Sequence, residues 1–175
     1  ITEVLLFMKK YYEDREYLNK VYDILENDEF QKMEHIMHHE GNRLEHSIRV
    51  SYHSYQLAKL FRLDTNKVAR AALLHDFFLE DNQNATKKEK AYTLIYHPEY
   101  ALENAKKYFE LSSLEEDIIV SHMFPIGKHV PKYFESWLVD IVDDFASIYE
   151  KTTVVRRQLS TAMCFLIMVL VNNLR

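Results

Sequence analysis

The sequence predicts an all-α fold, a single helical bundle of about eight or nine helices. Three observations carry this expectation. The 175 residues include only 2 Gly and 3 Pro, too few for the tight turns of an all-β chain. Apolar residues recur every three or four positions along the chain, which is the helical period rather than the alternation of a strand. Polar capping residues stand ahead of several of these runs. With 47% hydrophobic residues the composition is globular, and the length suits one domain spanning residues 1–175.

Residues 2–12 and about 14–26 read as one or two amphipathic helices, with Leu18, Val21, Tyr22 and Leu25 on one stripe. A short third helix is expected over about Asp28–His38, stopped by Gly41, since a glycine ends a helix at little steric cost. "NRLEHSIRVSYHSYQLAKLF" is a long helix. It turns Leu44, Ile48, Tyr55 and Ala58 inward, with Leu57 and Phe61 as further candidates. Asp64 or Thr65 can cap the next helix, which is expected to run through His75 and Asp76 and beyond. "LEDNQNATKK" reads as a polar loop. Pro98 is placed at the first turn of a helix over "PEYALENAKKYF", where its missing N–H costs nothing. Ser112 or Ser113, followed by Glu115 and Glu116, opens "SSLEEDIIVSHMF". Pro125, Gly127 and Pro131 mark a loop. Helices over about Tyr133–Tyr149 and Thr153–Asn172 complete the chain.

A formal net charge of −5 disfavours binding to a nucleic-acid duplex, which requires a basic face. It leaves room for a small phosphorylated ligand, because a bound cation reverses the local field. Cys164 stands alone, so no internal disulfide is expected and a reducing, cytoplasmic setting is; Cys164 itself reads as a small buried hydrophobe. The start of the chain has neither a cationic region ahead of an apolar run nor a small-residue cleavage site, so no signal peptide is expected. It also lacks an initiator Met, so the numbering is expected to begin inside the native chain or after processing. The apolar run Ala162–Val171 is too short to span a bilayer and is expected to form a C-terminal packing helix. Nothing in the sequence reports an oligomeric state.

The stretch "AALLHDFF", residues 71–78, places a histidine and an aspartate inside an apolar run. A carboxylate there is costly to bury unless something pairs with it, and a metal cation would do so. Further donors exist: His46, His97, His122 and Asp143, separated along the chain by gaps of 29, 1, 21, 25 and 21 residues when His75 and Asp76 are included. Each long gap is about one helix plus a connection, so each donor would come from a separate wall of one metal cleft. Imidazoles and carboxylates without thiolate suit Fe, Mn, Zn, Co or Ni, and argue against a structural zinc site.

The order of these residues resembles the HD-domain superfamily of metal-dependent phosphohydrolases. "HSIRVS" from His46, "LLHD" ending at Asp76 and "IVDDFAS" with Asp143 match its core motifs, and the resemblance covers about residues 43–150. It implies that His46, His75, Asp76 and Asp143 form the catalytic metal set. His97 in "HPEYA" and His122 in "SHMFP" match the two extra histidines of the binuclear branch. The resemblance thus implies two divalent transition-metal ions, Fe or Mn first, with Zn, Co, Ni or Mg as alternatives. Asp76 would bridge them, with His46, His75 and Asp143 on one and His97 and His122 on the other. Two departures stand out. Asp144 occupies the position after the distal aspartate where related sequences commonly carry Lys, and the Gly-Tyr-Pro signature of the cyclic-dinucleotide branch is absent after His122.

Three cations are candidates for meeting a substrate phosphate: Arg43, Arg49 three positions after His46, and Lys128 just after His122. His53 is expected to pack or to support the ligands rather than to ligate. His35, His38 and His39 read as an exposed helix end, Glu80 and Asp81 as a solvated loop, and Trp137 as core or half-buried surface. The expected function is hydrolysis, by metal-activated water, of a nucleotide or other small phosphorylated metabolite. The alternatives are a non-catalytic domain that binds a nucleotide or partner, and a di-iron oxygenase on the same scaffold.

Overall fold

The computed structural model describes residues 11–38, 41–80 and 86–152. These form helices α1 (Arg15–Leu25), α2 (Asp28–Gln31), α3 (Arg43–Phe61), α4 (Thr65–Leu74), α5 (Lys87–Tyr108) and α6 (Ser113–Ser121), and α7 over 134–152. A 3-10 turn, Lys32–His35, follows α2. A two-residue antiparallel ladder pairs Met37–His38 with Gly41–Asn42. The fold is all-α, as expected.

Capping chemistry sets most of the helix starts. Asp14, Asn27, Asn42 and Asp64 each accept a backbone N–H from the first turn of the helix that follows. Thr86 and Ser112 form reciprocal capping boxes with Glu89 and Glu115, satisfying two otherwise orphaned donors at each start.

α4 is the hub and packs against α1, α3 and α6. Its sequence explains why. Val68, Ala69, Ala71, Ala72, Leu73 and Leu74 are all buried, so the helix is apolar nearly all round and belongs inside. α3 meets it with small polar residues. The Tyr17 hydroxyl donates to Ser51 Oγ at 2.9 Å, and Ser51 Oγ donates to the Ala69 carbonyl at 2.7 Å. One hydrogen-bonded chain thus joins α1, α3 and α4.

Several expectations are corrected. Tyr22 is exposed, and the inward stripe of α1 is Tyr17, Val21 and Ile24. Leu57 and Phe61 are exposed as well; Leu57 lies off the buried face that carries Tyr55 and Ala58. The stretch over Asp28–His38 is not one helix but a single α-turn, a 3-10 turn and a strand. α5 begins at Lys87, where the Thr86–Glu89 box nucleates it, so Pro98 lies inside the helix rather than at its first turn. α4 stops at Leu74, and His75 and Asp76 form a turn. Two buried rings follow directly. Phe77 packs on Phe30, Tyr108 and Phe109, while Phe78 lies against His97. The two adjacent rings serve different neighbours. The expected helix over Thr153–Asn172, Cys164, His39, Asp81 and the bulk of residues 2–12 lie outside the described residues. No helix among the described residues is long and apolar enough to cross a membrane.

Candidate metal centre

Five elements converge on one buried cluster. His46 comes from the first turn of α3, and His75 and Asp76 from the turn that ends α4. His97 comes from mid-α5, His122 caps α6, and Asp143 comes from α7. All six are buried, with His75 fully so.

Asp143 faces two imidazoles: its Oδ1 lies 2.8 Å from His46 Nε2 and 3.5 Å from His75 Nε2. Asp76 has a divided orientation. Its Oδ2 lies 3.9 Å from His75 Nε2, whereas its Oδ1 lies 3.2 Å from His97 Nε2 and 3.8 Å from His122 Nε2. Two groups of donor atoms result, His46–His75–Asp143 and His75–Asp76–His122, each compact enough to hold one cation. His97 Nε2 joins the second from 2.9 Å away, on His122 Nε2.

Local backbone contacts aim the rings. The Nδ1–H groups of His75, His97 and His122 donate to the carbonyls of Ala72, Thr93 and Ile119, at 2.7, 3.3 and 2.8 Å. A ring that donates from Nδ1 presents a lone pair at Nε2 when neutral. Three such Nε2 atoms therefore point into the cluster. His75 Nε2 is buried and makes no hydrogen bond, a costly condition for a polar atom. His97 and His122 bring two lone pairs against each other. Both features are those of a donor set completed by a cation, and the nitrogen and oxygen donors, without thiolate, suit a divalent transition metal. The residues fit the group.

The carboxylates tune the imidazoles. Burial lowers the pKa of His46, but the Asp143 and Glu150 carboxylates outweigh it and lift it to about 10. His75 is raised in the same way, against its burial, by Asp76 and Asp143. Burial and then the neighbouring His75 and His97 push His122 down to about 3. Burial acts to raise Asp143, but His75 and His46 hold its carboxyl well below the usual carboxylate range.

Sequence reasoning missed Glu150. This buried carboxylate accepts from His46 Nδ1, with its oxygens 3.1 and 3.2 Å away, and from Arg49 at 2.5 Å. The signal that points to it is its spacing: seven residues after Asp143, two helical turns, on the same face. The cations proposed for substrate each have a partner in the protein. Arg49 pairs with Glu150. Arg43 is buried, stacked 3.6 Å over the Phe78 ring, and donates to the carbonyls of Phe78 and Glu80. Lys128 lies 3.5 Å over Tyr96 and 4.0 Å from Glu99, about half exposed. His53, His35 and Glu80 are exposed, and Asp144 is exposed beside the buried Asp143.

A family model for the HD domain matches residues 43–148. Neither the curated proteins nor the solved structures yielded a match to the chain.

Proposed function

The chain belongs to the HD domain family, and from that premise we propose that it is a metal-dependent phosphohydrolase for a nucleotide or other small phosphorylated metabolite. The observation that carries this reading is the divided orientation of Asp76, with one oxygen toward His75 and the other toward His97 and His122. That is the disposition of a carboxylate shared between two cations. In this proposal His46, His75 and Asp143 would hold one ion and His97 and His122 the other, with Asp76 available to both. Divalent ions bound there supply water activation and neutralisation of phosphoryl oxygens. The protein supplies the rest. Backbone carbonyls fix three of the rings, and the aromatic wall of Phe78 against His97 screens that side of the cluster. Lys128, the most exposed of the three candidate cations, is the one this reading assigns to a substrate phosphate, as a point charge.

The test is elemental analysis of the purified protein, wild type beside Asp76→Ala, followed by a screen of phosphorylated metabolites with the metal found. About two transition-metal ions per chain, lost in the variant, supports the proposal. One ion demotes His97 and His122 to supporting roles. No metal after reconstitution with Mn or Fe overturns the catalytic reading and leaves a binding domain.

A further inference from the structure

We infer that Glu150 is a positioning residue of the centre: it holds His46 by Nδ1 so that Nε2 faces the first ion site, with Arg49 anchoring Glu150 from behind. This deepens the reading above and rests on it. The Nδ1 of His46 meets a carboxylate from another helix, Glu150 of α7. The other three histidines donate to Ala72, Thr93 and Ile119. For His46 a side chain from 104 residues downstream performs that task, at 3.1 and 3.2 Å.

The chemistry of that substitution is specific. A carboxylate behind an imidazole fixes the tautomer and strengthens the opposite nitrogen as a donor, which a carbonyl does more weakly. Glu150 is only 7% exposed, so its charge also requires a partner, and Arg49, one turn after His46 on α3, provides it at 2.5 Å. The Arg49–Glu150–His46 chain is thus arranged from the periphery inward. It also accounts for Arg49 without assigning it to substrate. With an ion bound, His46 would offer Nε2 as the donor atom, and its Nδ1–H would still donate to the Glu150 carboxylate.

The experiment is a titration of the apo-protein with Co²⁺ alone, followed by visible absorption and calorimetry, for wild type, Glu150→Ala and Glu150→Gln. Circular dichroism checks folding. Glu150→Ala is expected to weaken the tighter Co²⁺ site by roughly 10- to 100-fold and to shift its ligand-field bands. Glu150→Gln, which can still accept from Nδ1–H but lacks the charge, is expected to lie between. A Glu150→Ala protein with wild-type affinity and spectrum overturns this inference alone. A wild type that takes up no Co²⁺ overturns the metal reading and this inference with it. Should Glu150→Ala fail to fold, Glu150→Gln decides: an unshifted spectrum at wild-type affinity overturns the inference.

Discussion

His97 and His122 face each other with their Nε2 atoms 2.9 Å apart, and each donates its Nδ1–H to a carbonyl of its own helix. Two helices have been brought together so that two Nε2 atoms meet, and with both rings neutral and protonated at Nδ1 their lone pairs oppose. Hydrogen bonding between the rings requires one to give up its tautomer or take a second proton, and burial with neighbouring histidines holds His122 away from protonation. The arrangement favours a cation over its absence.

His97→Gln tests this directly. The Gln amide can donate to His122 Nε2, replacing the opposed pair by a hydrogen bond. In metal-free protein this variant is expected to melt at or above the wild-type Tm by scanning calorimetry. Wild type is expected to gain more in Tm on adding Mn²⁺ than the variant does, because only ligands that bind the folded state stabilise it. A metal-free His97→Gln protein that melts well below wild type contradicts the opposed-pair account.

Arg43 is expected to act on stability before it acts on any substrate. Arg43→Ala leaves the Phe78 and Glu80 carbonyls without their donor and exposes the Phe78 face. Urea unfolding is expected to show a loss of roughly 1–3 kcal/mol. Arg43→Lys recovers little, since an ammonium has neither the planar fork nor the stacking face. A loss below about 0.5 kcal/mol, the range of neutral surface substitutions, would return Arg43 to the list of substrate contacts.

Asp140 gives a pH-dependent prediction. It is buried, its Oδ1 has no hydrogen-bond partner, and burial, then Asp144 and Asp143, raise its pKa to about 7. A carboxyl with a raised folded pKa keeps its proton in the folded state after the unfolded chain has lost it. Stability from this group therefore falls as pH rises from about 4, the unfolded value, and the penalty is complete above about 7. Asp140→Asn is expected to stabilise metal-free protein at pH 8 by roughly 1–3 kcal/mol and to change little at pH 4. An equal effect at both pH values would assign the gain to packing instead.

Lys128 separates substrate binding from chemistry. With bis(p-nitrophenyl) phosphate as probe, Lys128→Met is expected to raise KM about three- to tenfold and leave kcat nearly unchanged, the pattern of a lost uniform contact. Arg49→Met, acting through Glu150, is expected to alter Co²⁺ affinity instead. A kcat loss in the lysine variant would place its charge in the transition state.

The sequence was most informative where chemistry conflicts with burial. Histidine and aspartate inside "LLHDFF" have no packing rationale, and the same is true of Asp143 on a helix with buried Val139, Val142 and Ala146. Helix starts were legible because Asp64 and Ser112 carry their own capping chemistry. Glu150 is one of 27 acidic residues; its spacing from Asp143 marks the face it shares, but the partners that give it a role come from α3. The same holds for Arg43 and Arg49, whose partners are a carbonyl edge and a distant carboxylate. The break after Leu74 carries no local signal, since neither Gly nor Pro stands near it in "AALLHDFF". Pro98 was misplaced because local preference puts proline at a helix start, whereas the Thr86 cap had already committed the chain.

The contact between His46 and Asp143 joins residues 97 positions apart in the chain, and this has a consequence for synthesis. At about 5–20 residues per second, a ribosome releases His46 roughly 5–20 s before Asp143, and Glu150 later still. The nascent chain passes that interval with α3 and α4 already made but no carboxylate from α7 to close the cluster. Until then the chain carries His46, His75, Asp76 and, in turn, His97 and His122, but not the carboxylate that closes the set. The donor cluster is therefore complete only once Asp143 has been made.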